Sequence, residues 1–433
     1  MKHHWLAGIL LGLLGLPAGP PGAVEYPPAP TAAQLGIMQG RPVPDGKRVT
    51  LANWMSPPFN RWSLQNVPQL LPTATVYRGD GPPAELPVRA RDLAGLRFEV
   101  TPGSTLSIAE WLAASYTDGF IVVQDGRIVY EAYLNGMQPQ THHLAYSLSK
   151  SVIGILAGVL ADTGHLDVAR KVEDYVPELK ASGFAGYSVR ELLDMETAIR
   201  WKEDYEDPYG NWRRWKDAIG WTPSAAPAEG APEGNYEFLQ TLQRDPDWTG
   251  GFKYVSPNAE VLGWVLERAG GMPLAELISR RIWIPLGAQH DAFITTDRSF
   301  APAAAGGFGA TLRDLARFGQ LVLNNGRVAS RQVVSEKWLA DMRFNGSNQA
   351  WRNGQYRGYW NPAGSYRSLW YVTGDADGSL EAIGIHGQRL HINPVRRLVF
   401  VRLSSCPDPV SRADYDVSSR AIAAISAALS SRP

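Results

Sequence analysis

Beyond residue 106 the apolar positions of the chain fall into two periods, and their order along the sequence predicts the architecture. Residues 119–133 hold two short apolar runs on either side of Asp125-Gly126, the pattern of two strands joined by a tight turn. Just before them, residues 107–115 have the length and composition of a short helix. In residues 147–164, Val152, Ile153, Leu156, Val159 and Leu160 recur every three or four positions, which predicts an amphipathic or buried helix. Further helical patterns follow at 189–195, 258–269 and 312–324, separated by polar, Trp-rich and Gly/Pro-rich loops. The tail returns to strand-like runs at 390–392 and 398–403 around Pro394, then closes on a helix at 417–429. Strands at both ends with helices between them predict an α/β (α+β) fold, with one antiparallel sheet built from the two ends of the chain and a helical region in the middle.

The part before residue 106 reads differently. Met1-Lys2-His3-His4, an apolar run from Trp5 to Leu16 and a Pro/Gly-rich stretch make residues 1–23 a secretory signal peptide, too short to cross a bilayer as a stable helix. A secreted or periplasmic protein without a stable membrane anchor is therefore expected. Residues 24–105 are rich in proline and turn residues and suggest an extension that drapes over a main domain at 106–433. Composition is ordinary for a globular protein, 44% hydrophobic and 19% charged, with Lys+Arg balanced by Asp+Glu. The zero net charge and the absence of basic blocks give no footprint for nucleic acid. The single Cys406 has no partner for an internal disulfide and reads as a quiet buried thiol.

The candidate chemistry sits at the start of the apolar helix. Ser147-Leu-Ser-Lys150 places a hydroxyl and an amine three residues apart on one helical face. An amine serves as a base only when neutral, and burial against apolar residues lowers its pKa from about 10.4. Among the lysines only Lys150 has a serine three positions earlier. Backbone N–H groups at the same helix end suit a developing oxyanion. Tyr254, in the turn-rich segment that leads into the helix at 258–269, can shuttle protons if a nearby ammonium lowers its pKa. It would then titrate with Lys150 as a coupled pair, and the sequence does not say which is the first base.

Ser147-Leu-Ser-Lys150, Tyr254 and Gly384-Ile-His-Gly-Gln388, in that order, resemble the class C β-lactamase-related serine hydrolases, a family that includes penicillin-binding esterases, D,D-peptidases and the 6-aminohexanoate-dimer hydrolases. The resemblance spans roughly residues 107–429 and implies a β-lactamase/transpeptidase-like fold, its sheet flanked by helices, with the active site between the sheet and an all-helical region. It makes Ser147 the nucleophile, Lys150 and Tyr254 the acid/base pair, and the amides of Ser147 and Ile385 the oxyanion hole. The family's Tyr-x-Asn box is here Tyr254-Val-Ser256, which leaves Ser256 or Asn258 to hold a substrate amide. The Lys-Thr-Gly of β-lactamases is absent, which argues against efficient recognition of penicillin-like carboxylates. Gly384–Gln388 and the segment 201–208 are most similar to the 6-aminohexanoate-dimer hydrolase branch. That likeness points to Tyr205 and His386 as further substrate-binding residues, although Tyr205 could equally anchor its loop on the body and His386 could be a strand histidine satisfied by backbone; Trp370 is a further substrate-binding candidate.

The expected activity is cleavage of a small amide or ester substrate through a Ser147 acyl-enzyme. The same residues also fit a D,D-peptidase or β-lactamase acting on cell-wall or β-lactam substrates, and a non-catalytic periplasmic sensor or scaffold. A G-x-S-x-G elbow and a P-loop are both missing. His142 and His143 are adjacent and would point to opposite faces of a strand, a poor metal pair, so neither a metal nor a cofactor is expected. Trp201, Trp212, Trp215 and Trp221 crowd one loop; they either offer a stacking platform or pack that loop onto the body.

Overall fold

A computed structural model describes residues 26–223 and 230–430, so the leader at 1–23 lies outside the described residues. Its centre is a seven-stranded antiparallel sheet with the spatial order Ser365–Arg367, Trp370–Val372, Leu380–Gly384, Gln388–Asn393, Leu398–Ser404, Thr117–Gln124 and Arg127–Tyr133. The two ends of the chain meet where Leu398–Ser404 pairs with Thr117–Gln124, Phe400 opposite Val122. The hairpin closes at Asp125-Gly126, both with positive φ, which the turn requires and Gly accepts without cost.

Helices cover both faces, so the central strands read as continuous apolar runs. Ile121, Val123, Val399, Val401 and Leu403 face the larger core, shared with the helices Leu148–Asp162 and Leu312–Leu323. Phe120, Val122, Leu398 and Phe400 face the other side, against Ile108–Ala114 and the closing helix Arg412–Ser430. The Ile108–Ala114 helix starts on a capping box in which Ser107 and Glu110 satisfy each other's backbone amides.

The Leu148–Asp162 helix is buried from Leu148 to Leu160 despite two glycines that lower its intrinsic propensity. Packing is the reason for both. A Cβ on Gly154 would lie 2.0 Å from the Ser368 carbonyl, and one on Gly158 would lie 2.5 Å from the Trp338 ring. The helix thus sits directly on its neighbours, which fixes the position of its first turn.

Two features depart from the single sheet expected. A second antiparallel sheet, ordered Thr73–Val76, Ala292–Thr295, Phe308–Thr311, His142–Leu144, is assembled from four distant segments of three or four residues. Strands this short carry no readable alternation. One of them comes from the extension, which does more than drape. Trp54 donates to the Trp221 carbonyl, Asn60 to the carbonyls of Ser405 and Cys406, and Arg61 pairs with the fully buried Asp118 at 2.8 Å. Asp118 also receives Asn135, His143 and Ser405. Removing Arg61 would strand part of that buried charge, so Arg61→Ala should cost about 3–5 kcal/mol in denaturant unfolding. A loss below about 1 kcal/mol, the scale of exposed pairs, would show that the neighbours suffice.

Candidate active site

Ser147 stands at the N-terminal end of the Leu148–Asp162 helix, directly after Tyr146, whose φ of 46° turns the backbone sharply at that point. The turn is fixed by Ser149, which donates to the Tyr146 carbonyl and accepts from the Phe308 amide. One helical turn on, Lys150 is 1% exposed. Its Nζ lies 2.9 Å from Ser147 Oγ and donates to the Ala305 carbonyl at 2.9 Å. Burial brings this amine down to about 8, against the opposing pull of the carboxylates of Glu203 and Glu260.

Tyr254 precedes the helix Ser256–Gly270, with Pro257 in its first turn. Its amide donates to Gln355 Oε1 and its ring centroid lies 5.1 Å from Lys150 Nζ. The neighbouring Ser147 and Tyr371 favour its ionisation. Burial and Glu203 oppose them and win, leaving the phenol well above its ordinary range. The lowered tyrosine pKa expected from sequence is therefore reversed, because the site is enclosed and a carboxylate faces the ring.

These groups open onto a cavity of about 450 Å³, within the size range of small-molecule sites. Ser147, Glu203, Tyr205, Tyr254 and Ile385 are among the residues that line it. An aromatic wall continues from Tyr254 through Tyr356, Trp360 and Tyr371, with Tyr254 stacked on Tyr371 at 6.4 Å and Trp360 on Tyr371 at 5.9 Å. The strand Leu380–Gly384 runs close against the nucleophile turn: a Cβ on Gly384 would sit 2.5 Å from the Ala145 carbonyl and 3.1 Å from the Ser147 amide. Ile385, the next residue, is thereby held beside Ser147.

Four residues singled out from sequence lie elsewhere. Asn258 is fully buried in the helical region, accepting from Thr197 Oγ1 and facing Met195 Sδ, away from the cavity. Ser256 is buried at the helix start, where its amide donates to Glu203 Oε1; its side chain is not on the cavity wall. Trp370 is fully buried, its Nε1 on the Ser151 carbonyl and its ring against Phe318. Side chains alternate across a strand, so it is the neighbouring Tyr371 that reaches the cavity. His386, at φ 62° between the strands Leu380–Gly384 and Gln388–Asn393, is buried off the cavity wall, where Nδ1 pairs with the Cys406 carbonyl at 2.7 Å. Burial takes its pKa down to about 4 and keeps it neutral.

Tyr205 does line the cavity, and it also packs edge-on against Trp212 at 5.1 Å. The tryptophans of that loop form a packed cluster, Trp212 with Trp215, and Trp215 and Trp54 with Trp221, rather than a stacking platform. Cys406 is buried and its thiol is pushed up to about 11. Sequence reasoning missed Glu203, two residues from Tyr205, and the aromatic wall; the run Gln355-Tyr-Arg-Gly-Tyr-Trp360, unusually aromatic for a polar loop, was its signal.

Comparison with known proteins agrees with this fold. The family model described as β-lactamase matches residues 113–425. The 6-aminohexanoate-dimer hydrolase of Paenarthrobacter ureafaciens is 38% identical over 381 residues, 88% of this chain and 94% of that protein. A solved structure from Bacillus anthracis, provisionally described as a 6-aminohexanoate-dimer hydrolase, superposes with a TM-score of 0.80 at 29% identity, covering 89% of this chain and 98% of its own. The octameric penicillin-binding protein homologue of Pyrococcus abyssi shares the fold, with a TM-score of 0.54 at 16% identity over 75% of this chain and 76% of its own.

Proposed function

The chain belongs to the β-lactamase family of hydrolases, and from that premise we propose that it cleaves linear amides or esters through an acyl-enzyme on Ser147. The observation that carries this reading is the 2.9 Å approach of Ser147 Oγ to a lysine amine that burial has made a usable base at neutral pH. Lys150 takes the Ser147 proton as Oγ attacks the substrate carbonyl. The Ser147 and Ile385 amides stabilise the oxyanion, each worth about 3 kcal/mol. Tyr254, held protonated, gives its proton to the departing amine or alcohol and is reprotonated from the Lys150 ammonium. Water then attacks the acyl-enzyme, passes a proton back through the same pair and releases Ser147.

Lys150 as the first base has a consequence for pH. The amine must be neutral, so kcat/KM should fall tenfold per pH unit as pH drops through about 8. A plateau extending down to about pH 5, where a carboxylate base near its ordinary pKa of about 4 would still be ionised, would refute this assignment.

The substrate class follows from the cavity walls and the relatives. An aromatic, partly apolar cleft suits an extended chain, and the Paenarthrobacter relative is named for an amide dimer of that kind. Three of the arginines that line the cavity are already paired, Arg389 with Glu381, Arg402 with Asp414 and Arg412 with Asp416, which leaves them poorly placed to take a penicillin-like carboxylate. The test is a panel of p-nitrophenyl esters, linear amide oligomers, D-amino-acid peptides and a chromogenic cephalosporin, alongside a fluorophosphonate probe with peptide mapping. Turnover of the first two and labelling at Ser147 are expected. Preference for the cephalosporin would favour a β-lactamase, and no labelling would favour a sensor. Residues 1–23 support export, which amino-terminal sequencing of the periplasmic fraction checks.

A further inference from the structure

The helix that begins at Ser256 carries a charge its surroundings do not invite. Glu260 is 1% exposed, on a stretch of helix buried from Ser256 to Leu266, and an ionised carboxylate there is costly unless it is fully partnered. It is. Oε1 accepts from the Ala305 amide at 2.9 Å; Oε2 accepts from the Ala304 amide at 2.9 Å and from Asn235 Nδ2 at 2.7 Å. Three residues on, and so on the same helical face, Gly263 lets this turn come close: a Cβ there would lie 2.7 Å from that of Ala304. The turn held in this way presents the Ala305 carbonyl to Lys150 Nζ.

The consequence lies in the geometry of a neutral amine, which has two N–H bonds and one lone pair. The Ala305 carbonyl claims one N–H, and the rotation that satisfies it helps direct the lone pair toward Ser147 Oγ, 2.9 Å away. We propose that Glu260 is a positioning residue of the active site, which acts through the Ala304–Ala305 turn to aim the Lys150 amine at Ser147. The inference rests on Lys150 being the base, as read above.

Its charge contributes as well. Burial raises the Glu260 carboxyl and lowers the Lys150 amine, and each charge favours the other. Glu203 acts on Lys150 in the same sense from the cavity loop, and the Tyr254 ring packs on the amine. On the far side of Glu260, Tyr236 feels its charge, while Asp297 holds the Asn235 amide. A neutral side chain at 260 therefore changes both the aim and the pKa of Lys150.

Glutamine at this position cannot accept from all three donors, since its amide nitrogen would face one of them. Steady-state kinetics of Glu260→Gln with a p-nitrophenyl ester, normalised to active sites titrated by the fluorophosphonate probe, should show kcat about tenfold to a hundredfold down, as for a misaimed catalytic group. KM should stay within about threefold, as befits a change that leaves ground-state binding alone. The acid limb of kcat/KM should move to lower pH, because a charge that raises the Lys150 pKa has gone. Glu260→Asp keeps the charge but withdraws the acceptors by one methylene, so its kcat should fall while its acid limb stays at the wild-type position. A purely structural role would lower the melting temperature and the number of titrated sites and leave kcat per site and the limb unchanged, and that result overturns the proposal. If Glu260→Gln does not fold, unchanged kcat per site in Glu260→Asp overturns it equally. Lys150→Ala separates the two levels: if it stays active, the base assignment fails; if it is inactive while both Glu260 variants behave as wild type, only this inference fails.

Discussion

Lys150→Ala is expected to lower kcat about 10³-fold or more, toward the upper end of what general-base catalysis supplies, while the protein unfolds at close to the wild-type temperature. Two observations set the size of the effect. Among the described residues no other amine is placed against Ser147 Oγ, and Tyr254 beside it is held firmly in its neutral form by burial and by Glu203. Without Lys150 the serine proton has no acceptor of comparable strength. The fold should tolerate the change because the amine's two hydrogen bonds go to Ser147 and to the Ala305 carbonyl, and the latter sits on a turn already tied to Glu260. Alanine does leave a cavity and removes a partner of Glu260, so a modest loss of stability is expected. Single-turnover labelling by the fluorophosphonate probe should slow in parallel with kcat, since acylation is the step that needs the base. Labelling at the wild-type rate with turnover lost would move the role of Lys150 to deacylation.

Ser147 and Lys150 were legible in the sequence because a helix converts a spacing of three into proximity, and because the apolar positions that follow announce both the helix and its burial. The strands were legible for a similar reason: Asp125-Gly126 and Pro394 mark turns that local chemistry dictates. What could not be read was which side of the site a residue would face. Trp370 and Tyr371 are equally aromatic neighbours, and only the register of a three-residue strand decides that Trp370 enters the core and Tyr371 the cavity. Asn258 lies four residues from Tyr254, a helical spacing that looks favourable, yet Thr197 and Met195 claim it from an element distant in sequence. Glu203 is invisible for the opposite reason. Among the other acidic residues of its loop, nothing local distinguishes the carboxylate that the fold turns toward Ser256, Tyr205 and Tyr254.

Tyr254→Phe should reduce kcat about 10²-fold, less than the loss of Lys150, and the size of the effect should depend on the leaving group. The phenol supplies a proton to the departing atom. An amine must be protonated to leave, whereas p-nitrophenolate departs readily without help. The variant should therefore lose most of its activity on linear amides and retain a larger share on p-nitrophenyl esters. Packing argues that the comparison will be clean. The ring itself is held by Tyr356, Tyr366 and Tyr371 and by the Lys150 amine, contacts that phenylalanine keeps. The acid limb of the pH profile should stay with Lys150, because a phenol held above its ordinary range is protonated throughout the working pH. An equal loss on amides and activated esters would mean that Tyr254 serves the attack on the carbonyl rather than the departure of the leaving group. In that case the first proton transfer would belong to the tyrosine and lysine as a unit.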